Sequence, residues 1–396
     1  MTEDDRPEMF RGAGRTAQYQ EPDEVPPAVP QAGAERVVVD DSNHRHGESE
    51  YSETARLIDQ SLGQTTFVSD VSAARRPAAV SAPLRPRPAT WGWRGRLARG
   101  TGGLVKLGPD GAELAHRDAV ATVRRATWVR AVNVIVTNPK GGVGKSPTAL
   151  ILAGILGQIR GGYVCAWEAA ESIGTLNRRA EGDPRRGLAE LLARASDVRS
   201  AGHLGGYTAP QTSHADVIGS VGTRAVLTAA DVMEVRQVLD TYYRITVTDT
   251  GNNPGHEAYL AALRTADAAV LPCLVSIDAL AGLEEVLAVM RAEGGPVGAP
   301  DGLLSRVVVV LSHDGGPEDP AIAAALRARL DELGVAAVVE VPFDPAIRLG
   351  GEITLSALSE QSTRAWTAVA AAVVTSLEYA PTDVDLVHEL QTTPAH

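Results

Sequence analysis

The sequence predicts an α/β fold, a doubly wound and mostly parallel sheet with a long disordered N-terminal extension, on three observations. From residue 131 onward, short apolar runs alternate with helix-length segments, the βαβ rhythm of a parallel sheet. Most of these runs, Val132–Thr137 and Val307–Ser312 among them, are almost continuously apolar, as strands covered on both faces must be. Between the first run and the next helical segment lies a glycine-rich turn, a junction typical of such folds.

Further strands are expected at Tyr163–Trp167, Ala215–Ile218, Ile245–Asp249, Ala268–Val275 and Val338–Val341. Helices are expected between them at Gly187–Ala193, Ala229–Thr241, Gly255–Arg264, Leu280–Arg291 and Ala321–Leu333. A last helix, Ser362–Leu377, is apolar nearly all round, which predicts that it packs on the sheet. Four segments follow: an acidic, proline-rich disordered region at 1–88, a basic linker and helix at 89–130, the α/β domain at 131–378, and a flexible tail at 379–396.

Charge divides the chain along the same lines. The 396 residues carry a formal net charge of −12, which argues against a basic coat for nucleic acid. Residues 1–84 hold 15 acidic and 8 basic side chains, whereas 85–130 hold 3 and 10. The block Trp91-Gly-Trp93-Arg-Gly-Arg96-Leu-Ala-Arg99 sets two aromatics among arginines. Such a mix stacks on bases or anionic surfaces, or docks its tryptophans on a protein. DNA contact through 85–130 and a protein partner through 1–130 are therefore both open. Ala112–Arg130 reads as a helix leading into the first strand.

Compartment is read from what the chain lacks. The N-terminal residues are acidic and have no apolar core of a secretory signal. No run approaches the ~18 apolar residues of a spanning helix, so no integral membrane segment is expected. The tail after Ala380 lacks the basic amphipathic pattern of a membrane-binding helix. Cys165 and Cys273 sit in apolar strands, which predicts two buried thiols and a cytoplasmic location.

The turn itself reads Thr137-Asn-Pro-Lys-Gly-Gly-Val-Gly-Lys-Ser146. Gly141, Gly142 and Gly144, with Val143 between, allow successive backbone N–H groups to turn inward around a phosphate. The helix that begins near Ser146 and runs through Pro147 and Thr148 adds its positive end. Lys145 supplies a charge for the β- and γ-phosphates, and the Ser146 hydroxyl can ligate Mg²⁺. Pro139 stands where the common P-loop pattern has its first glycine, and a second lysine, Lys140, lies inside the loop. Of 37 basic residues only three are lysines, Lys106, Lys140 and Lys145, so two of the three fall in this loop. Arginine's planar fork is a poor substitute for the compact charge such a loop encloses.

The stretch K-G-G-V-G-K-S resembles the deviant Walker A motif of the ParA/MinD family of ATPases. The resemblance spans roughly 131–378. It implies ATP and Mg²⁺ as cofactors and a homodimer formed on ATP binding, with Lys140 reaching the partner's nucleotide. Ile245–Asp249, with the loop Thr250-Gly-Asn-Asn-Pro254, resembles Walker B, which implies that Asp249 sits beside Mg²⁺ with Ser146. Asp267-Ala-Ala-Val-Leu-Pro272 and Val341-Pro-Phe-Asp344 resemble later segments of the family, the second of which implies a loop over the base. The segment 91–131 resembles the same region of actinobacterial MinD-like proteins of type VII secretion loci.

Two departures bear on hydrolysis. The family's second strand ends in D-x-D, and here Glu168 matches the first acid while Ala170 occupies the second position. Alanine cannot orient water, and Glu171 is one residue further along. Pro147 replaces the usual Ser or Thr; it is sterically acceptable in a first helical turn but removes an N–H and a hydroxyl. Lys140, Lys145, Glu168 and Asp249 are thus the expected catalytic set, in a weak ATPase that acts as a nucleotide-dependent dimer switch. The cellular process reads as secretion, as chromosome or plasmid partitioning with DNA binding, or as a non-hydrolysing nucleotide-bound scaffold.

Overall fold

The computed structural model describes residues 88–102, 104–105, 107–276, 279–293, 302–316 and 319–378. The disordered region expected up to residue 88 falls, but for that last residue, outside the described residues, as does the tail 379–396.

Among the described residues, eight strands form one sheet: β1 Val132–Val136, β2 Val164–Ala169, β3 Ala209–Pro210, β4 Ala215–Ile218, β5 Ile245–Thr250, β6 Ala268–Leu274, β7 Val307–Ser312 and β8 Ala337–Val341. Their spatial order is β3-β4-β2-β5-β1-β6-β7-β8. Every pairing is parallel except the short β3–β4 contact. No strand is expected from sequence at β3, because two residues are too short for a period.

Among the described residues, eight helices of two turns or more complete the fold: α1 Gly92–Gly100, α2 Gly111–Arg125, α3 Lys145–Arg160, α4 Ala229–Tyr242, α5 Glu257–Arg264, α6 Ala279–Glu293, α7 Pro320–Leu333 and α8 Glu360–Leu377. Alternate strand residues point to opposite faces of the sheet. Val132, Val134, Val136, Val247 and Val270 face α3 and α8, whose Ile151, Ile155, Val369 and Val373 complete one core. Ile135, Ala269, Leu271 and Val309 meet the apolar sides of α5, α6 and α7 on the other face. Cys165 and Trp167 extend that face toward α4, through Val232, Val235 and Leu239. Both cysteines are buried and free.

The helix expected at Ala112–Arg130 stops five residues early, at Arg125. Arg160 on α3 donates to the carbonyls of Val123 and Ala126 at 2.8 and 2.9 Å, and its guanidinium lies 5.1 Å from the centroid of the Trp128 ring. These contacts satisfy the helix's last carbonyls and turn the chain into β1.

The segment before α2 is tied down by one buried carboxylate. Glu113, 1% exposed, accepts from the backbone N–H and hydroxyl of Thr90 at 2.8 and 2.6 Å and from Arg117. Trp91 then stacks beside His116, with the Arg364 guanidinium of α8 at 4.1 Å from its ring centroid. Trp93 instead remains 66% exposed. One of the two tryptophans therefore docks and the other faces solvent.

Candidate functional site

The loop expected to hold phosphate leaves the carboxyl end of β1, the central strand. There β5 and β6 flank β1 on opposite sides, and connections diverge toward both halves of the sheet. In open parallel sheets this divergence opens a crevice beyond the strand ends. A cleft of 760 Å³ occupies that place. The loop 142–148, the loop 170–175, residues 249–252 and the segments 312–314 and 341–344 all line it.

Backbone conformation builds the cradle. Gly142 and Gly144 have φ of 77° and 93°, left-handed values that a side chain would oppose. Gly144 is the N-cap of α3, so the helix's first unbonded N–H groups point into the cleft. Pro147 falls within this first turn, where an N–H would have no helical partner anyway. Thr148 is buried, and its N–H already closes on the Gly144 carbonyl at 2.9 Å.

Lys145 is drawn under the loop. Its ammonium donates to the carbonyls of Asn138 and Lys140 at 2.8 and 3.0 Å, and to the Asn252 side chain. Burial lowers its pKa from the usual lysine value, while the charges of Asp249 and Glu171 oppose that shift. Lys140 projects differently: its side chain is exposed, and its backbone N–H is fixed by Asn138 Oδ1 at 2.9 Å. One lysine thus faces the cleft floor and the other faces outward.

Sheet register places two carboxylates side by side. Asp249 pairs with Val136 of β1 on one side and with Glu168 of β2 on the other. Burial, reinforced by the Glu168 charge, pushes the Asp249 carboxyl up to about 7, against a hydrogen bond from Ser146 and the charge of Lys145. Asp249 Oδ1 is buried with no hydrogen-bond partner. A partnerless carboxyl oxygen next to a serine hydroxyl, in a site that resists ionisation, suits a divalent cation, whose charge would relieve that resistance. Among the described residues there is no cluster of three or more acidic, histidine or cysteine ligands. Such a cation would therefore rest on Asp249 and Ser146, and on phosphate and water, as Mg²⁺ commonly does.

Glu168 is held differently from Asp249. One of its oxygens accepts from Ser220 and, at 3.2 Å, from Arg224; the other is buried without a partner. Gly174 packs so closely that a Cβ there would lie 2.7 Å from the Glu168 carboxylate. Thr175 donates to Ser146 Oγ at 3.1 Å and ties this loop to the phosphate loop.

The far end of the cleft is made by Ser312, His313, Phe343 and their neighbours, where a base-covering loop was expected. Asp344 itself is engaged within the protein. It caps the next turn, accepting from Ala346 and Ser359 at 3.0 and 2.9 Å.

Asn252, Thr175, Ser220 and Arg224 carry no weight in the sequence reading. Asn252 could have been found, since it follows the strand-end Asp249 by three residues. Arg224 lies 56 residues from its partner Glu168, and only the register of β2 against β4 brings the two together.

No protein-family model matches the chain. Two curated relatives from Mycobacterium tuberculosis strains, both named ESX-1 secretion-associated protein EspI, are 28% identical to it over 301 residues. The match covers 73% of this chain and 43% of each relative, so the chain spans less than half the length of the curated relatives it matches. Among solved structures, a ParA family ATPase from Chlorobium tepidum aligns at 17% identity and a TM-score of 0.46, over 63% of this chain and 98% of the other. The cell division ATPase MinD of Pyrococcus furiosus aligns at 19% and 0.45, over the same shares. The chain is thus similar in sequence to the EspI proteins, and its doubly wound sheet with a two-lysine phosphate loop has the architecture expected from the sequence.

Proposed function

We propose that the chain is an ATP-dependent switch. It binds ATP with Mg²⁺ in the cleft around 138–148, and two copies close on each other with Lys140 of each completing the other's site. The observation that carries this reading is the division of labour between the lysines: Lys145 lies under the loop, whereas Lys140 is exposed at its rim. Asp249 and Ser146 hold the cation, which, when bound, offsets phosphate charge; Glu168 lies behind them. The backbone N–H groups of 142–146 hold phosphate, and Ala170 leaves hydrolysis slow. Such a switch changes which surfaces are exposed, and nucleotide turnover resets it.

Secretion is the favoured process, supported by the name of the curated relatives. Partitioning by DNA binding is less supported. Several basic side chains of 85–130 are already committed within the protein: Arg94 to the Gly108 carbonyl, Arg99 to Thr90, Arg117 to Glu113 and Arg130 to Asp267. Among the described residues no helix is long and apolar enough to cross a membrane.

Gel filtration with ATP and Mg²⁺ tests the switch. The full chain elutes as a dimer only with nucleotide, and Lys140→Ala elutes as a monomer while still binding ATP. A native chain that binds ATP without changing size refutes the dimer clasp. Salt-dependent DNA binding lost on deleting 85–130 turns the reading toward partitioning.

A further inference from the structure

Arg224 is 3% exposed at its side chain, deep between β4 and α4, and the proposed chemistry does not use it. Its guanidinium spends all its donors on one neighbourhood. Nε donates to Ser220 Oγ at 2.7 Å. Nη1 donates to the carbonyls of Glu171 and Ala225 at 3.1 and 3.0 Å. Nη2 donates to the carbonyls of Ala170 and Ser172 at 2.6 and 2.8 Å and to the Glu168 carboxylate at 3.2 Å. Three consecutive carbonyls of the loop after β2 therefore converge on one buried cation. The N–H of Leu227 also reaches the Glu171 carbonyl, at 3.4 Å.

This grip fixes where the Glu171 side chain goes. Its carboxylate lies against Gly251, so close that a Cβ there would meet Oε2 at 1.7 Å. Oε2 is buried and has no hydrogen-bond partner. Glu171 lines the cleft, and its charge acts on Lys145. The carboxylate's other oxygen, Oε1, is not enclosed in this way, and at the phosphate end of an ATP cleft it is suited to holding water.

We propose that Glu171 is the water-positioning carboxylate of this site, and that Arg224 is the positioning residue that holds it there; this rests on the reading of the cleft as an ATP site. Glu171 accepts a hydrogen bond from the attacking water. The water oxygen bonds to the γ-phosphorus as the bond to the β–γ bridging oxygen breaks, that electron pair leaves on ADP, and the water's protons end on the released phosphate and in solvent. Ala170, which has no polar side chain, contributes its carbonyl to the Arg224 grip instead.

The test uses the full chain, with ATP affinity and single-turnover phosphate release measured separately. Glu171→Gln lowers phosphate release on the order of 10²-fold, in the range of a positioned acid–base or water-orienting group, while ATP affinity stays within a factor of about three. Arg224→Lys keeps the charge, loses the fork, lowers release, and speeds amide hydrogen exchange across 170–175. Adding Arg224→Lys to Glu171→Gln costs no further release, because both act through one carboxylate. Undiminished release by Glu171→Gln overturns the inference, as does an additive double variant. So does a native chain that binds ATP and releases no phosphate, an outcome that leaves the binding reading standing. A native chain that binds no ATP overturns that reading first. If Arg224→Lys fails to fold, Glu171→Gln alone decides the role of the carboxylate, and exchange across 170–175 in Arg224→Gln decides that of the grip.

Discussion

Replacing Asp249 by asparagine should make the nucleotide-free protein more stable, and by an amount that depends on pH. The aspartate is 3% exposed, one oxygen has no partner, and Glu168 lies opposite it on the next strand. Its pKa rises from 3.8 to about 7, so the folded chain holds a proton that the unfolded chain releases between these values. The folded state therefore loses stability as pH climbs from about 4 to 7, and the loss is complete above that range. At 1.36 kcal/mol per pKa unit the accumulated cost is roughly 4 kcal/mol at pH 8 and under half of that at pH 5. Asparagine has the same shape and no charge to bury, so Asp249→Asn removes this cost. Urea unfolding without Mg²⁺ or nucleotide should show the variant more stable than native at pH 8, with a gap narrowing by about 2–3 kcal/mol at pH 5. Mg²⁺ with ATP should stabilise the native protein and leave the variant largely unchanged. A variant no more stable at pH 8, or a gap that does not change with pH, refutes the electrostatic account of this site.

Two further substitutions test the fold around the cleft. Trp91→Ala removes the ring that Arg364 covers and His116 flanks. For a half-buried aromatic with a cation on its face this should cost about 1–3 kcal/mol in denaturant unfolding and expose 88–110 to protease. Gly157→Ala on α3 would bring a Cβ to 2.9 Å from both the Ala215 nitrogen and the Ser213 carbonyl oxygen. These are backbone atoms that cannot swing away. The helix-propensity gain of about 1 kcal/mol should be outweighed by overpacking, for a net loss of about 1–2 kcal/mol. A stabilised Gly157→Ala would show that the α3–β4 contact is looser than described.

Much of the sheet was legible because its strands are short, apolar and separated by helices with clear ends. Ala215–Ile218 and Val307–Ser312 fall at their expected limits, and the other core strands shift by one or two residues. The phosphate loop was legible for a local reason: its glycines, lysines and serine are consecutive, so spacing alone carries the chemistry. The rest of the site depends on contacts that spacing does not encode. The grip of Arg224 on 170–172 crosses from one strand's exit to another's, and a lone arginine in Val221-Gly-Thr-Arg224 resembles any surface arginine. The role of Glu171 was hidden by its register, one residue beyond the position where an acid was sought. A loop can offer that residue to the cleft only because its carbonyls are anchored elsewhere. The end of α2 was misplaced for a similar reason, since Arg160, well beyond α2 in the chain, supplies the cap.

The short strand β3 has a consequence for how copies of this chain can meet. A parallel sheet ending on β4 would present a row of unpaired N–H and C=O groups to any neighbouring strand. Ala209–Pro210 covers that row over only two residues, runs antiparallel, and ends on a residue with no N–H to offer. At the opposite border, Glu340 of β8 carries a charge engaged by Arg327 and His313, and a charged outer strand discourages a newcomer. Lateral growth of the sheet from molecule to molecule is discouraged at both borders. Open-ended polymers built by strand pairing are thereby disfavoured, which is compatible with the closed pair proposed across the face on which Lys140 stands.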